Sequence, residues 1–166
     1  MNKNYQSFLE SKIRKHTISG FDVNENELNP RLFDYQKFSV KRALKAGKYA
    51  LFFDCGLGKT IMQIEWAFHV AKKTNKPVLI VAPLAVSGQT IREGYKFGYE
   101  IIKYDGSNSI LQITNYEQLE NIDCSIFGGV VLDESSILKN FEGATKKLII
   151  DLFSNTPYKL CCTATP

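Results

Sequence analysis

Gly56-Leu57-Gly58-Lys59-Thr60 lies between an apolar stretch ending at Phe53 and a segment in which Ile61, Ile64, Phe68 and Ala71 recur on one helical face. Strand, glycine loop and helix in that order make a cradle for phosphate. The glycines let backbone N–H groups close around phosphate oxygens, the helix presents its positive end, and Lys59 and Thr60 reach the terminal phosphates and a Mg²⁺ ion. The strict form of the loop has an earlier glycine at the position of Phe53, so only the shorter G-x-G-K-T part is met. Taken alone, the pentapeptide also reads as a Gly-rich turn with an exposed lysine. In its strand-to-helix setting it implies a nucleoside triphosphate.

Outward from the loop, short apolar runs alternate with helix-period segments, the mark of a parallel sheet covered on both faces. Strands are expected at 49–53, 78–82, 100–104, 111–115, 130–132 and 159–162, and helices at 5–15, 35–46, 59–73, 86–97 and 144–153. Asp34 is suited to cap the second helix and Gly47 to end it, while Gly143 precedes the last helix and Asn155-Thr156-Pro157 breaks it. Residues 1–30 read as an N-terminal helix with a polar connection from Gly20 to Pro30, and 31–166 as one α/β nucleotide-binding domain.

At 166 residues the chain is long enough for one domain with a real core, and 44% hydrophobic with 23% charged residues is a globular composition. A net charge of +4, carried mainly by lysine with arginine only at Arg14, Arg31, Arg42 and Arg92, permits a nucleic-acid partner without arguing for one. No apolar run approaches membrane-spanning length, and residues 1–10 lack the apolar stretch of a secretory signal, so a cytoplasmic protein without a membrane partner is expected. Cys55, Cys124, Cys161 and Cys162 have no C-x-x-C spacing and read as small buried residues in a reducing compartment. His16 and His69 stand alone, His69 as a packing or solvated residue rather than a metal ligand.

The second informative stretch is Val130-Val131-Leu132-Asp133-Glu134, an apolar strand ending in two acids. A rigid strand end can hold Asp133 toward a Mg²⁺ shell, while Glu134 can take a proton from an attacking water. By itself this is also a strand followed by a polar turn. Paired with the glycine loop it implies one shared site, because parallel strands place their carboxyl ends along one edge of the sheet. Thr163 and Thr165 follow the last strand and belong to the same edge.

Together these residues resemble superfamily-two helicases and translocases, particularly the Swi/Snf-type branch and the phage and prophage DEAD/DEAH-box proteins related to it. Phe33-Asp34-Tyr35-Gln36 resembles the Q motif, which implies that Gln36 recognises the adenine edge. Asp54-Cys55-Gly56-Leu57-Gly58-Lys59-Thr60 resembles motif I, whose Swi/Snf form commonly lacks the early glycine. Leu79-Ile80-Val81-Ala82-Pro83-Leu84 is similar to motif Ia and Ile113-Thr114-Asn115-Tyr116-Glu117 to motif Ib, implying nucleic-acid backbone contacts at Pro83, Leu84, Thr114 and Tyr116. Asp133-Glu134-Ser135-Ser136 matches motif II, and Thr163-Ala164-Thr165 matches motif III, which links hydrolysis to movement.

The resemblance implies a RecA-like P-loop fold, with a mostly parallel sheet and helices on both faces. It also implies ATP and Mg²⁺ as cofactors, Lys59, Asp133 and Glu134 as catalytic residues, and Thr60 and Asp133 as metal ligands, partly through water. DNA is the implied partner, contacted without regard to sequence, in a bacterial or phage-infected cell. Ser136 stands where the family often has histidine or aspartate, so the link between hydrolysis and strand movement is expected to differ locally. Family members also have a second RecA-like domain whose arginines complete the ATP site, and nothing up to Pro166 supplies it. The first motor domain of a DNA-dependent ATPase is therefore expected, slow by itself. The alternatives are a nucleotide-binding regulatory or interaction module, and a small-molecule kinase, against which the scarcity of arginine argues.

Overall fold

The computed structural model describes residues 18–139 and 143–165; the helix expected at 5–15 and His16 lie outside them. Among the described residues six strands form one sheet: β1 (Lys48–Phe52), β2 (Val78–Val81), β3 (Ile102–Lys103), β4 (Leu111–Thr114), β5 (Gly129–Leu132) and β6 (Tyr158–Thr163). Their order is β1-β6-β5-β2-β4-β3, and every neighbouring pair is parallel. The helices are α1 (Asp34–Ala46), α2 (Lys59–Thr74), α3 (Leu84–Lys96) and α4 (Gly143–Leu152). Among the described residues no helix is long and apolar enough to cross a membrane.

The period of two along each strand explains why the central strands β2 and β5 carry no polar side chain. In β2, Val78 and Ile80 join one core cluster while Leu79 and Val81 join the other. In β5, Val131 faces the first cluster and Val130 and Leu132 the second. The first cluster is closed by α1 and α2 through Val40, Leu44, Ile61, Ile64, Trp66 and Val70. The second is closed by Ile149 of α4 and by Leu119, Cys124 and Phe127. Helices therefore cover both faces, as the alternation of the sequence requires.

Several boundaries move. Strand β3 keeps only two of the five residues expected at 100–104, because it is an edge strand whose ladder with β4 is limited to Ile102↔Gln112 and Lys103↔Ile113. Helix α3 begins at Leu84, earlier than expected, with Pro83 as its N-cap, where a missing N–H costs nothing. Asp34 is the first residue of α1 rather than its cap; Phe33 takes that position and its N–H donates to Gln36 Oε1 at 3.0 Å. Gly47 ends α1 as expected, at φ 77°. Gly143 is inside α4 instead of before it.

Two expectations are corrected outright. The stretch from Gly20 to Pro30 is not a polar connection: Val23 and Leu28, with Leu32 beyond, are buried in the first core cluster, and a few well-spaced apolar anchors suffice to seat an otherwise polar segment. Cys55 is exposed rather than buried, because it sits in the glycine loop outside the sheet; Cys124 and Cys162 are buried and Cys161 half-buried.

That N-terminal segment is fastened by a buried polar knot. Glu65 of α2, fully buried, accepts the Asn29 N–H at 3.0 Å on Oε1, lies 3.0 Å from His69 Nε2, and accepts the Tyr99 hydroxyl on Oε2. Asn29 Nδ2 donates onward to Phe97 O at 2.9 Å. Burial pushes the Glu65 carboxyl up, but the donors from His69, Tyr99 and Asn29 outweigh it and hold the group below its ordinary 4.5. A carboxylate so held contributes stability that is present above 4.5 and is lost as the pH falls below it. Glu65→Gln is accordingly expected to cost about 1–3 kcal/mol near neutral pH, the price of strained or unmet buried donors. The gap to the parent should shrink on acidification, read from urea midpoints across an acid series; a gap constant with pH would remove Glu65 from this role.

Candidate functional site

The glycine loop leaves the carboxyl end of β1 and turns into α2 through two left-handed residues, Gly56 at φ 82° and Gly58 at φ 72°. Gly58 is favoured by its left-handed backbone, and a Cβ there would lie 2.4 Å from Gln36 Nε2 and displace that amide. The first helical bond of α2 runs from Met62 N to Gly58 O at 3.3 Å, so the N–H groups of Lys59, Thr60 and Ile61 have no partner within the helix. Lys59 Nζ donates to Phe53 O at 2.7 Å and to Asp54 O at 3.2 Å, folding its ammonium back over the mouth of the loop. Thr60 is half-buried in the first turn, and Asp54, Cys55 and Leu57 are exposed on the rim.

Strand β6 lies between β1 and β5, and the other half of the site follows β5 with Thr163 at the end of β6. Asp133 follows β5 directly, is 8% exposed, and donates its N–H to Val81 O at 2.8 Å. Its Oδ1 accepts from Gln63 Nε2 at 2.6 Å and from Glu134 N at 3.0 Å. Burial pushes the carboxyl above the ordinary aspartate range, while Gln63, the Glu134 N–H and the Lys59 charge pull the other way. The glycine loop follows β1 and Asp133 follows β5, the two parallel neighbours of β6, so both lie at the carboxyl edge of the sheet.

Glu134 has the left-handed backbone that non-glycine residues rarely adopt, φ 49°. Its Oε1 accepts from Thr163 Oγ1 at 3.0 Å and from Ser136 Oγ at 2.6 Å, and Thr163 Oγ1 in turn accepts the Thr165 N–H at 3.0 Å. Ser135 Oγ fixes the following turn to β6 through Cys162 O at 3.2 Å. The two acids after β5 and the two threonines at the end of β6 are therefore one hydrogen-bonded group. Ser136, the residue that departs from the resembled pattern, is part of it.

The remaining expected site residues divide. Gln36 is 4% exposed and lies beneath the loop, with Oε1 taken by Phe33 N and Nε2 donating to Leu57 O at 3.3 Å. The Tyr35 hydroxyl also donates to Leu57 O, at 3.1 Å, and the Tyr35 ring stacks on exposed Phe33. Pro83 is half-buried and Leu84 is 69% exposed at the start of α3, on the same sheet edge as the acids. Thr114 and Tyr116 are not surface residues: Thr114 ends an inner strand covered on both faces, and Tyr116 turns inward to donate its hydroxyl to Asp133 O at 2.7 Å. Burial and then the Asp133 charge raise the Tyr116 pKa, keeping the hydroxyl a donor.

Sequence reasoning passed over Gln63. The available signal was a polar residue between Met62 and Ile64 on a helix that is buried on most sides.

A loop of backbone donors, one lysine and one buried carboxylate suits a divalent cation that takes most of its shell from phosphate and water. Among the described residues no group of three or more His, Cys, Asp or Glu gathers into a self-sufficient metal site. No family model matches the chain, and no curated protein matches it. Solved structures do. A SWI2/SNF2 ATPase core of Sulfolobus solfataricus in complex with dsDNA superposes with a TM-score of 0.73 at 23% identity, over 87% of this chain and 34% of that one. The UvsW helicase from bacteriophage T4 superposes with a TM-score of 0.69 at 18% identity, over 97% of this chain and 60% of that one. The chain has the RecA-like α/β fold of these proteins and spans between a third and three fifths of their length.

Proposed function

We propose that the chain is the first motor domain of an ATP-dependent DNA helicase or translocase, working with a second RecA-like domain in cis or in trans. One observation carries this reading. The loop carrying Lys59 after β1, the acids Asp133 and Glu134 after β5, and Thr163 at the end of β6, which bonds Glu134, follow three adjacent parallel strands and so lie at one edge of the sheet. The loop and the start of α2 hold the phosphates of ATP, and Lys59 exchanges its two loop carbonyls for phosphate oxygens. Thr60 and Asp133 hold Mg²⁺, partly through water; bound there, the ion neutralises charge on the phosphates.

Glu134 orients the attacking water and accepts its proton. Among the described residues the side-chain donors to this carboxylate, Ser136 and Thr163, fall on Oε1, which leaves Oε2 for the base role. Thr163 reports the state of Glu134 to the end of β6, and Thr165 reports it to the chain beyond. Gln36 reads adenine only by exchanging one of its present bonds, so base recognition and loop position are linked through it. DNA backbone contacts belong first to Pro83 and Leu84; Thr114 and Tyr116 act from beneath, Tyr116 through Asp133. An arginine from the second domain is typically worth about 10³ to 10⁵ in rate, so the chain alone is expected to bind Mg-ATP and turn it over slowly. A cytoplasmic setting in a bacterial or phage-infected cell belongs to the same proposal.

The test is phosphate release by the chain, alone and with its second domain, with and without DNA. Stimulation by DNA of any sequence, weakening as salt rises, is the expected result. Firm ATP binding with no turnover under any of these conditions would point instead to a regulatory nucleotide-binding module, and transfer of phosphate to a metabolite would point to a kinase.

A further inference from the structure

We propose that Gln63 is a positioning residue that registers the metal-holding carboxylate to the phosphate loop. The inference rests on the nucleotide-site reading above. Gln63 lies four residues after Lys59 on the same rigid helix, and its side chain is wholly buried. An amide in such a place is unfavourable unless it is bonded. Its Nε2 donates to Asp133 Oδ1 at 2.6 Å, and the ionised carboxylate dictates which end of the amide faces it.

Asp133 has little other freedom. Its N–H is held by Val81 O at 2.8 Å and its carbonyl by the Tyr116 hydroxyl at 2.7 Å, which leaves the rotation of the carboxyl group itself. Gln63 and the Glu134 N–H meet on one oxygen, Oδ1, and so stop that rotation. Oδ2 is then the oxygen presented to a cation's shell. One hydrogen bond thereby carries the position of α2, and with it Lys59 and Thr60, to the carboxylate at the far side of the site.

The other end of the amide supports a directed role. Among the described residues Gln63 Oε1 is buried with no hydrogen-bond partner. A methionine would fill the same space without stranding an acceptor, so bulk alone does not account for an amide at this position. Within the structure the amide meets the Asp133 carboxylate and the buried Cys162 thiol, and of the two the charge-assisted bond to Asp133 is the stronger.

The experiment is titration of a fluorescent ATP analogue into the parent, Gln63→Met and Gln63→Leu, first with chelator and then across a Mg²⁺ series, with thermal melting recorded for each. Metal-free binding should match the parent, while the melting temperature should fall modestly because the buried Asp133 carboxylate loses a charge-assisted donor. The Mg²⁺ concentration for half-maximal enhancement should rise about 10- to 100-fold, the usual effect of removing a support behind a metal ligand. Two substitutions of different shape guard against one that fails to fold. If either folded variant keeps the parent's Mg²⁺ midpoint, Gln63 is only filling space and the positioning role is lost, while the nucleotide site stands. If the parent itself shows no Mg²⁺-dependent nucleotide binding, both readings fall together.

Discussion

Lys59→Ala is expected to remove measurable ATP binding while leaving the fold in place. The side chain is half-buried at the mouth of the loop, and among the described residues its ammonium bonds only to Phe53 O and Asp54 O, two carbonyls of the loop itself. No core packing depends on it. What the substitution deletes is the single cation that the loop can aim at the β- and γ-phosphates. Charge-assisted hydrogen bonds are worth about 1.5–3 kcal/mol each, and every 1.4 kcal/mol is about tenfold in affinity. Loss of two such contacts to phosphate takes a modest site beyond ordinary detection. Calorimetric titration with Mg-ATP checks this, with a melting curve to show that the protein is intact. Parent-like affinity in the variant would mean that phosphate is not held at this loop.

Glu134→Gln has the opposite signature: binding kept, hydrolysis stopped. Glutamine is nearly isosteric, retains an oxygen to accept from Ser136 and Thr163, and has no greater difficulty than glutamate with the left-handed backbone at φ 49°. The geometry of the edge is therefore preserved and only the basic oxygen is lost. General-base removal typically costs about 10² to 10⁴ in rate. The measurement belongs in a protein that includes the second domain, where turnover is fast enough for the loss to be read. Parent-like turnover by Glu134→Gln would assign the base elsewhere, and a matched fall in nucleotide affinity would mean that the side chain acts in binding instead.

These two residues were legible in the sequence because the rules that expose them are local. Gly56 and Gly58 supply backbone angles that other residues resist, and the lysine that follows them is fixed by chain continuity at the helix start. Asp133 and Glu134 end an uninterrupted apolar run rich in β-branched residues, the pattern of a strand covered on both faces. The same logic gave the two-sided sheet, since parallel strands such as Val78–Val81 show no polar face. It misled wherever the partner of a residue lay far along the chain. Nothing near Tyr116 tells that its hydroxyl finds Asp133 O, nothing near Gln36 tells that both ends of its amide are taken, and the polar look of residues 20–30 hides Val23 and Leu28 in the core.

The amino-acid sequence by itself determined that a glycine loop, a lysine and a pair of acids would share one edge of a parallel α/β sheet, because backbone angle and side-chain period are properties of neighbours in the chain. Only the tertiary structure decided that β6 would lie between β1 and β5, bringing Thr163 to Glu134, and that Gln63 would hold one chosen oxygen of Asp133. Strand order and the partners of buried polar atoms are fixed by long-range packing, in which each buried group accepts whichever donor the closed core brings within reach.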